Sequence, residues 1–319
     1  MSFGLSRVAL EMGAPTRQAF GEALAEAGAD DRVVVIDGDV NNSTFTMKFA
    51  EKYPERFFNV GIAESNLIGI ASGLAATGKI PVAASFSIFI LANAFDQIRM
   101  SIAFPNMNVK LVGSHAGISI GEDGPSQMAV EDVALACALP GFTVIVPADA
   151  TTTRAATRAM IERDGPMFLR CGRPKVPTIY GDESQFHLGK ANRLRDGDDV
   201  TIIANGIMVA MALDAAEGLA EEGIAARVLD MHTVKPVDKA AIERAANETR
   251  GIVVAEEHLA YGGLGAIVAM VVTERKPTRM AFVDLGDNYA TSGTPDELLA
   301  QYALTPASIM DAARRVLKD

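Results

Sequence analysis

The sequence predicts a two-domain α/β protein with mainly parallel sheets covered by helices. Short β-branched runs alternate with Ala-rich stretches of helical length along the whole chain, as in successive βαβ units. The strand-like runs are continuously apolar, as expected of strands buried on both faces. One stretch rich in Pro, Gly and polar residues, 170–189, interrupts the alternation near the middle. A length of 319 residues suits two domains. The expected boundaries are 1–173 for the first domain, 174–190 for a linker and 191–319 for the second.

In the first half, strands are expected at 33–36 (Val-Val-Val-Ile), 57–60, 109–112, 143–146 and 167–169. Helices are expected at 16–27, 64–76, 89–103, 129–138 and 149–163, each rich in Ala or in apolar residues at helical spacing. In the second half, strands at 200–204, 227–231, 251–255 and 280–283 alternate with helices at 208–222, 238–247 and 264–273. A last helix, 306–317, begins with Pro306, where a missing N–H costs little.

Composition narrows the function classes. There are 29 Lys and Arg against 40 Asp and Glu, a net charge of −11, which disfavours binding to a phosphate backbone. The longest uncharged apolar stretch, 80–95, is shorter than the ~18–20 residues of a membrane span. It reads instead as a surface covered by a partner. The N-terminus lacks a basic region followed by an apolar one, so no signal peptide is expected and the compartment reads as cytoplasmic. Cys137 and Cys171 are too few for a disulfide framework. Cys137, in an apolar helical run, reads as an inert buried thiol.

Ligands of open α/β sheets bind beyond the carboxyl ends of strands. Three polar clusters stand at such positions: Asp37-Gly38-Asp39-Val40-Asn41-Asn42-Ser43, Gly61-Ile62-Ala63-Glu64-Ser65-Asn66, and Ser114-His115 with the glycine-rich loop 117–127. They are expected to converge on one edge. Glu64 opens a helix, where a carboxylate complements the dipole, so capping and catalysis both remain open. His115 is one of four histidines and could be structural or catalytic. The loop glycines would let backbone N–H groups approach a ligand, or simply form a surface loop. Asp37 to Asn42 has the composition of a calcium loop without the Glu at the required spacing. Gly262-Gly263-Leu264-Gly265 lacks the dinucleotide fingerprint and reads as helix packing. Gly69, Ala71, Ser72, Gly73, Ala75 and Ala76 behind Glu64 permit close packing, at an interface or within the core.

Taken together, Gly61-Ile-Ala-Glu64, Ser85-Phe86-Ser-Ile-Phe89, and Ser114-His115 leading to Gly121-Glu-Asp123-Gly-Pro125 resemble the C-terminal portion of transketolases. Val234-Lys-Pro236-Val-Asp238 and Glu256-Glu257-His258 with Gly262-Gly263 extend the resemblance into the second half. It implies a thiamine-diphosphate pyrimidine-binding domain followed by a transketolase C-terminal domain. The Gly-Asp-Gly…Asn motif that holds magnesium and the diphosphate in this family is absent. The chain therefore resembles one subunit of a split transketolase, whose partner would carry the Mg2+ ligands, in a two-fold heterotetramer.

The resemblance further implies roles. Glu64 would hydrogen-bond N1′ of the aminopyrimidine, and Phe86 and Phe89 would pack on its ring. His115 would hydrogen-bond the substrate near the reacting carbonyl and move protons, Asp123 would hold a sugar hydroxyl, and Gln127 could touch substrate. Arg17, Ser43 and Arg170 match positions that grip a sugar phosphate. Ser65 stands where many transketolases have His, and Ala92 replaces a third aromatic of the pyrimidine pocket. The alternatives are a β subunit of the first component of a 2-oxo acid dehydrogenase, a half chain similar to deoxyxylulose-phosphate synthase, and a non-catalytic partner subunit that kept the fold.

Overall fold

The computed structural model describes residues 3–318. The first two residues of the stretch read for a signal peptide, and Asp319 of the expected second domain, lie outside the described residues. The strands in chain order are β1 (Met12–Pro15), β2 (Val33–Asp37), β3 (Phe57–Asn59), β4 (Ile80–Phe86), β5 (Lys110–Ser114), β6 (Thr143–Ile145) and β7 (Met167–Arg170). They continue as β8 (Lys175–Pro177), β9 (Asn192–Arg195), β10 (Val200–Ala204), β11 (Ala226–Asp230), β12 (Thr233–Lys235), β13 (Ile252–Ala255) and β14 (Met280–Val283).

A seven-stranded sheet has the order β12-β6-β7-β5-β4-β2-β3. It is parallel except for β12, which comes from the second half of the chain and pairs antiparallel with β6. A five-stranded sheet, β14-β13-β10-β11-β9, is parallel except for β9. Strands β1 and β8 form a separate antiparallel pair. β8 lies within the stretch expected as a linker, so that stretch is pinned to the beginning of the described chain.

Alternate residues of β2 show how the first sheet is covered. Val33 and Val35 pack with Phe20 and Leu24 of helix Thr16–Ala27 and with Ala156 and Met160 of helix Ala150–Glu162. Val34 and Ile36 pack on the other face with Leu67 and Ile68 of helix Glu64–Ala76. That second core runs on without a break into Ile203, Leu229 and Val254 of the five-stranded sheet. The two halves therefore share one apolar interior. Among the described residues no helix is long and apolar enough to cross a membrane.

Two expectations fail here. The apolar stretch 80–95 is not a partner-covered surface in its first part: residues 80–86 are β4, between β5 and β2, and helices on both faces account for its apolarity. The helix expected at 89–103 is not one regular helix. Phe89–Asn93 and Ile98–Ala103 are π-helical, separated by one short α-turn, a rare form that concentrates at functional sites. The small residues behind Glu64 divide between two faces. Ala71 is buried in the core, whereas Gly69 and Gly73 point outward with nothing within 4 Å of where a Cβ would stand.

Lys110 illustrates how a buried charge is held in this fold. It is fully buried on β5, and its ammonium donates to the carbonyls of Arg163 (2.6 Å) and Gly165 (2.8 Å) just past helix Ala150–Glu162. Burial pushes its pKa down to about 8. Lys110→Met is expected to orphan both carbonyls and lower unfolding stability by about 1–3 kcal/mol, measured by urea denaturation at neutral pH.

Candidate active site

Strands β2, β4 and β5 end beside one another, and the site grows from their carboxyl ends. After β2 the chain turns on Asp37. Its buried carboxylate accepts from the Val40 N–H (2.7 Å) and from the hydroxyls of Thr44 and Thr46 (2.8 Å each). Burial nonetheless raises its pKa. Asp37 thus organises the loop that carries Ser43. Gly38 is closely approached, since a Cβ there would stand 3.2 Å from Ser85 Oγ.

That same Ser85, on β4, donates to Glu64 Oε1 at 3.0 Å. Glu64 is 5 % exposed in the first turn of its helix. Among the described residues Ser85 supplies its one side-chain hydrogen bond, so Oε2 remains open to another donor. Ser65, the departure from the family pattern, donates to the Asn93 carbonyl and to Gln97 Oε1. It thereby ties the helix of Glu64 to the π-helical segment. Ala92 on that segment is exposed.

Phe86 continues β4, and its ring stacks on Phe89 with centroids 6.1 Å apart and planes 12° from parallel. Phe86 also stacks on the His115 imidazole at 4.0 Å. His115 reaches that position because its backbone is left-handed, with φ +59° at the end of β5; such strain costs on the order of 1 kcal/mol or more and concentrates at functional sites.

The hydrogen bonds fix the tautomer of His115. A guanidinium only donates, so Nε2, 3.3 Å from Arg17 Nη1, accepts. Nδ1 then carries the proton and donates to Ser114 Oγ at 2.9 Å. Burial foremost, and then the charges of Arg17 and Arg173, push the imidazole pKa down to about 3. His115 is therefore neutral at physiological pH.

Arg17 also donates to the carbonyls of Ser43 (2.8 Å) and Arg173 (3.3 Å). The Ser43 carbonyl is thus at the site, while its hydroxyl makes no hydrogen bond among the described residues. Arg17 is half-buried and forms no ion pair among the described residues. Burial and the nearby Arg173 lower its pKa. Asp123 lies 3.4 Å from Arg173 Nη1 at the rim, and Gln127 accepts from the Ser126 hydroxyl. A cavity of 280 Å³ opens here, lined by Arg17, Ser119, Ile120, Glu122, Arg173 and Pro295.

The structure thus brings together Glu64, Phe86, Phe89, His115, Arg17 and Ser43, with Asp123 and Gln127 on the adjoining loop. It does not bring Arg170 to the cavity. Strand β7 extends one residue further than expected, and Arg170 pairs with Gly113 of β5. Its side chain, 7 % exposed, donates to Asp132 Oδ2 (2.8 Å) and to the carbonyls of Ala129 (2.9 Å) and Glu257 (3.0 Å). The second arginine of the site is Arg173, three residues on and outside the strand. The sequence signal for it was present, since Arg173 precedes Pro174 in the same loop. Ser85 was also missed, because a lone serine in an apolar strand carries no signal of its own.

The glycine-rich loop departs from expectation as well. Its Ser119 N–H is not free for a ligand: it donates to Glu257 Oε1 from the second half of the chain at 2.6 Å. Gly262-Gly263-Leu264-Gly265 serves packing as expected. Glu256 accepts the Leu264 and Gly265 N–H groups at 2.7 Å each, and a Cβ on Gly263 would overlap that carboxylate. Cys137 is half-buried, and burial pushes its thiol up to about 12.

Residues 12–178 match the family described as transketolase, pyrimidine binding domain, and residues 189–309 match the transketolase C-terminal domain. A Methanocaldococcus jannaschii protein named as a transketolase C-terminal section is 42% identical over 307 residues, covering 95% of both chains. A Clostridium protein named as a 6-deoxy-6-sulfo-D-fructose transketolase subunit is 42% identical over 293 residues, covering 92% of this chain and 91% of the other. A solved structure titled split gene transketolase, inactive β4 tetramer, is 45% identical with a TM-score of 0.90, covering 96% of this chain and 99% of that one.

The electrostatics of His115 give a direct expectation. An NMR pH titration should find its imidazole neutral down to about pH 4, with the proton on Nδ1. Arg17→Ala removes one of the two guanidinium charges that depress its basicity, so the pKa should move upward while staying below the ordinary 6.5, because burial remains.

Proposed function

This chain belongs to the transketolase family, and on that premise we propose that it is one subunit of a two-chain transketolase. It would move a two-carbon ketol unit between sugar phosphates with thiamine diphosphate. One observation carries the reading: a buried Glu64 with one carboxylate oxygen engaged by Ser85 and the other open, close in the fold to the Phe86–Phe89 stack. Such a set fits the aminopyrimidine half of the cofactor, which needs an acid–base carboxylate at a ring nitrogen and flat apolar cover. Among the described residues no group of three or more His, Cys, Asp or Glu is gathered to hold a metal ion. The diphosphate and Mg2+ would be held by the partner subunit.

Thiamine diphosphate, when bound, supplies the electron sink for breaking a C–C bond beside a ketone. The residues of this chain would do the rest. Glu64 Oε2 would take the hydrogen bond of the pyrimidine N1′ and share its proton, while Ser85 keeps the carboxylate aimed. Phe86 and Phe89 would exclude water and orient the ring, a contact worth ~0.5–1.5 kcal/mol beyond area burial. His115, uncharged, would face the reacting carbon, where a sugar hydroxyl would replace Arg17 Nη1 as the donor to Nε2. Its low basicity suits it to accept a hydrogen bond from a sugar hydroxyl and not to store a proton. Asp123 would take a second hydroxyl, and Gln127 could reach the same sugar. Arg17 and Arg173 would hold the sugar phosphate, with Ser43 beside them. An anion at Arg17 would relieve a half-buried cation that forms no ion pair among the described residues.

The names of similar proteins as a section, a subunit and a split gene product support the partner. Two-fold assembly is supported by exposed apolar residues around the helix of Glu64. Ile62 is 81% exposed and Phe104 82%, and Gly69 and Gly73 offer a flat outer face. The solved relative, titled an inactive tetramer of its β chain, accords with a chain that associates without turning over alone.

The purified chain with thiamine diphosphate and Mg2+ is expected to show no ketol transfer, and mixing with its partner should restore it. In the reconstituted enzyme Glu64→Gln should cost about 10²–10⁴ in kcat, the range for a positioned acid–base group. Turnover within threefold of wild type would overturn the reading.

Arg173 and Arg170 should separate cleanly in kcat/KM. Arg173→Ala is expected to lower it about ten- to a hundredfold for a phosphorylated sugar only, the loss of one charge-assisted contact. Arg170→Ala leaves Asp132 buried and unpaired, a cost of about 3–5 kcal/mol in stability, and should affect phosphorylated and unphosphorylated sugars alike.

A further inference from the structure

We propose that Glu257 is a positioning residue: the second half of the chain uses its carboxylate to hold the loop that carries His115 and Asp123 in register for the sugar. The catalytic consequence rests on the ketol-transfer reading above; the structural part does not.

Glu257 follows β13 and is 5 % exposed. Its Oε1 accepts the Ser119 N–H at 2.6 Å, and its Oε2 lies 3.3 Å from the Ser119 hydroxyl. Gly117 has φ +80°, and a Cβ on it would overlap the Glu257 carboxyl group. The loop and the carboxylate are thus as close as a bare backbone permits. Ile118 and Ile120, on either side of Ser119, are buried in the core of the second half beside Val253 and Leu298. His115 precedes this anchor by four residues and Asp123 follows it by four.

The same residue reaches the other wall of the site. Its carbonyl accepts from Arg170, Arg170 pairs with Asp132, and Asp132 accepts from the Ser87 hydroxyl at 2.7 Å. Ser87 follows Phe86, whose ring lies on His115. Glu257 therefore joins the imidazole's loop to the strand that carries its stacking partner, without itself facing the cavity. His258 adds a parallel tie, accepting the Ala134 N–H, and the Leu259 N–H donates to the Val130 carbonyl.

The groups facing the carboxyl are Arg170 from β7 and Asp132 from helix Asp132–Ala138, with Glu256 and His258 adjacent in the chain. Burial pushes Glu257 up to about 7 against the pull of Arg170 and Ser119. The neutral form is therefore within easy reach at neutral pH, and Gln, its neutral isostere, should still accept the Ser119 N–H.

The test uses the full chain in two arms. In hydrogen exchange on the chain alone, Glu257→Ala should exchange the amides of residues 117–121 at least tenfold faster, with helix Thr16–Ala27 and β10 unchanged, whereas Glu257→Gln should match wild type. In the enzyme reconstituted with its partner, Glu257→Ala should raise KM for the sugar phosphate at least tenfold. The concentration of thiamine diphosphate needed for half-activation should stay within twofold, and Gln should restore KM. If Ala does not fold, Glu257→Asp keeps the charge beside Arg170 but withdraws it by one methylene, and the same loosening of 117–121 is expected. Unchanged loop protection in Ala or Asp, uniform loss of protection across the molecule, or equal loss of sugar and cofactor affinity would each overturn the proposal. Failure of the ketol-transfer reading is distinguishable, because it shows as a wild-type enzyme without turnover while the exchange arm still reads the loop.

Discussion

The buried pair of Arg170 and Asp132 is the constraint on which the arrangement depends. Both side chains are taken out of water, and neither could remain there ionised alone. The guanidinium therefore recruits two carbonyls, Ala129 from the loop before helix Asp132–Ala138 and Glu257 from the second half of the chain. Asp132 in turn recruits Ser87 at the end of the central strand. A single desolvated ion pair thus demands partners from three further segments, and satisfying it fixes where those segments meet. The site lies at that meeting point.

Strain and unusual backbone gather there. His115 takes a left-handed conformation at the end of β5, and Gly117, Gly121 and Gly124 follow with positive φ. The segment opposite is π-helical. These costs are met by packing elsewhere: Ile118 and Ile120 are fully buried, and the Ala116 and Gly117 N–H groups bond to Cys171 and Ala129. The result is a neutral imidazole clamped between an aromatic ring and a guanidinium.

Much of the fold was legible in the residues. Helices 16–27, 64–76 and 306–317 and the strands at 200–204 and 280–283 fall where periodicity placed them, because each is a strong local pattern bounded by a Gly, a Pro or a polar turn. The convergence of Asp37, Glu64 and His115 was legible too, since parallel strands must present their carboxyl ends on one edge. Strand β4 was not. Its Ile-Pro-Val-Ala-Ala-Ser-Phe run reads equally as strand, helix or interface, and only its place between β5 and β2 decides. The π-helical turns at 89–103 have no periodicity that separates them from an α-helix.

The residue types for the chemistry, then, were set by sequence alone: a carboxylate opening a helix, paired phenylalanines, a histidine before a glycine-rich loop. Which arginine serves the cavity was decided by tertiary structure, because one more residue of pairing on β7 turns Arg170 inward and leaves Arg173 at the rim. The partners of Glu64 and Ser119 were decided in the same way. A hydrogen bond from Ser85 spans 21 residues and one from Ser119 to Glu257 spans 138. Local pattern carries no information across such separations; only the packing of the two sheets against a shared core brings those atoms within reach.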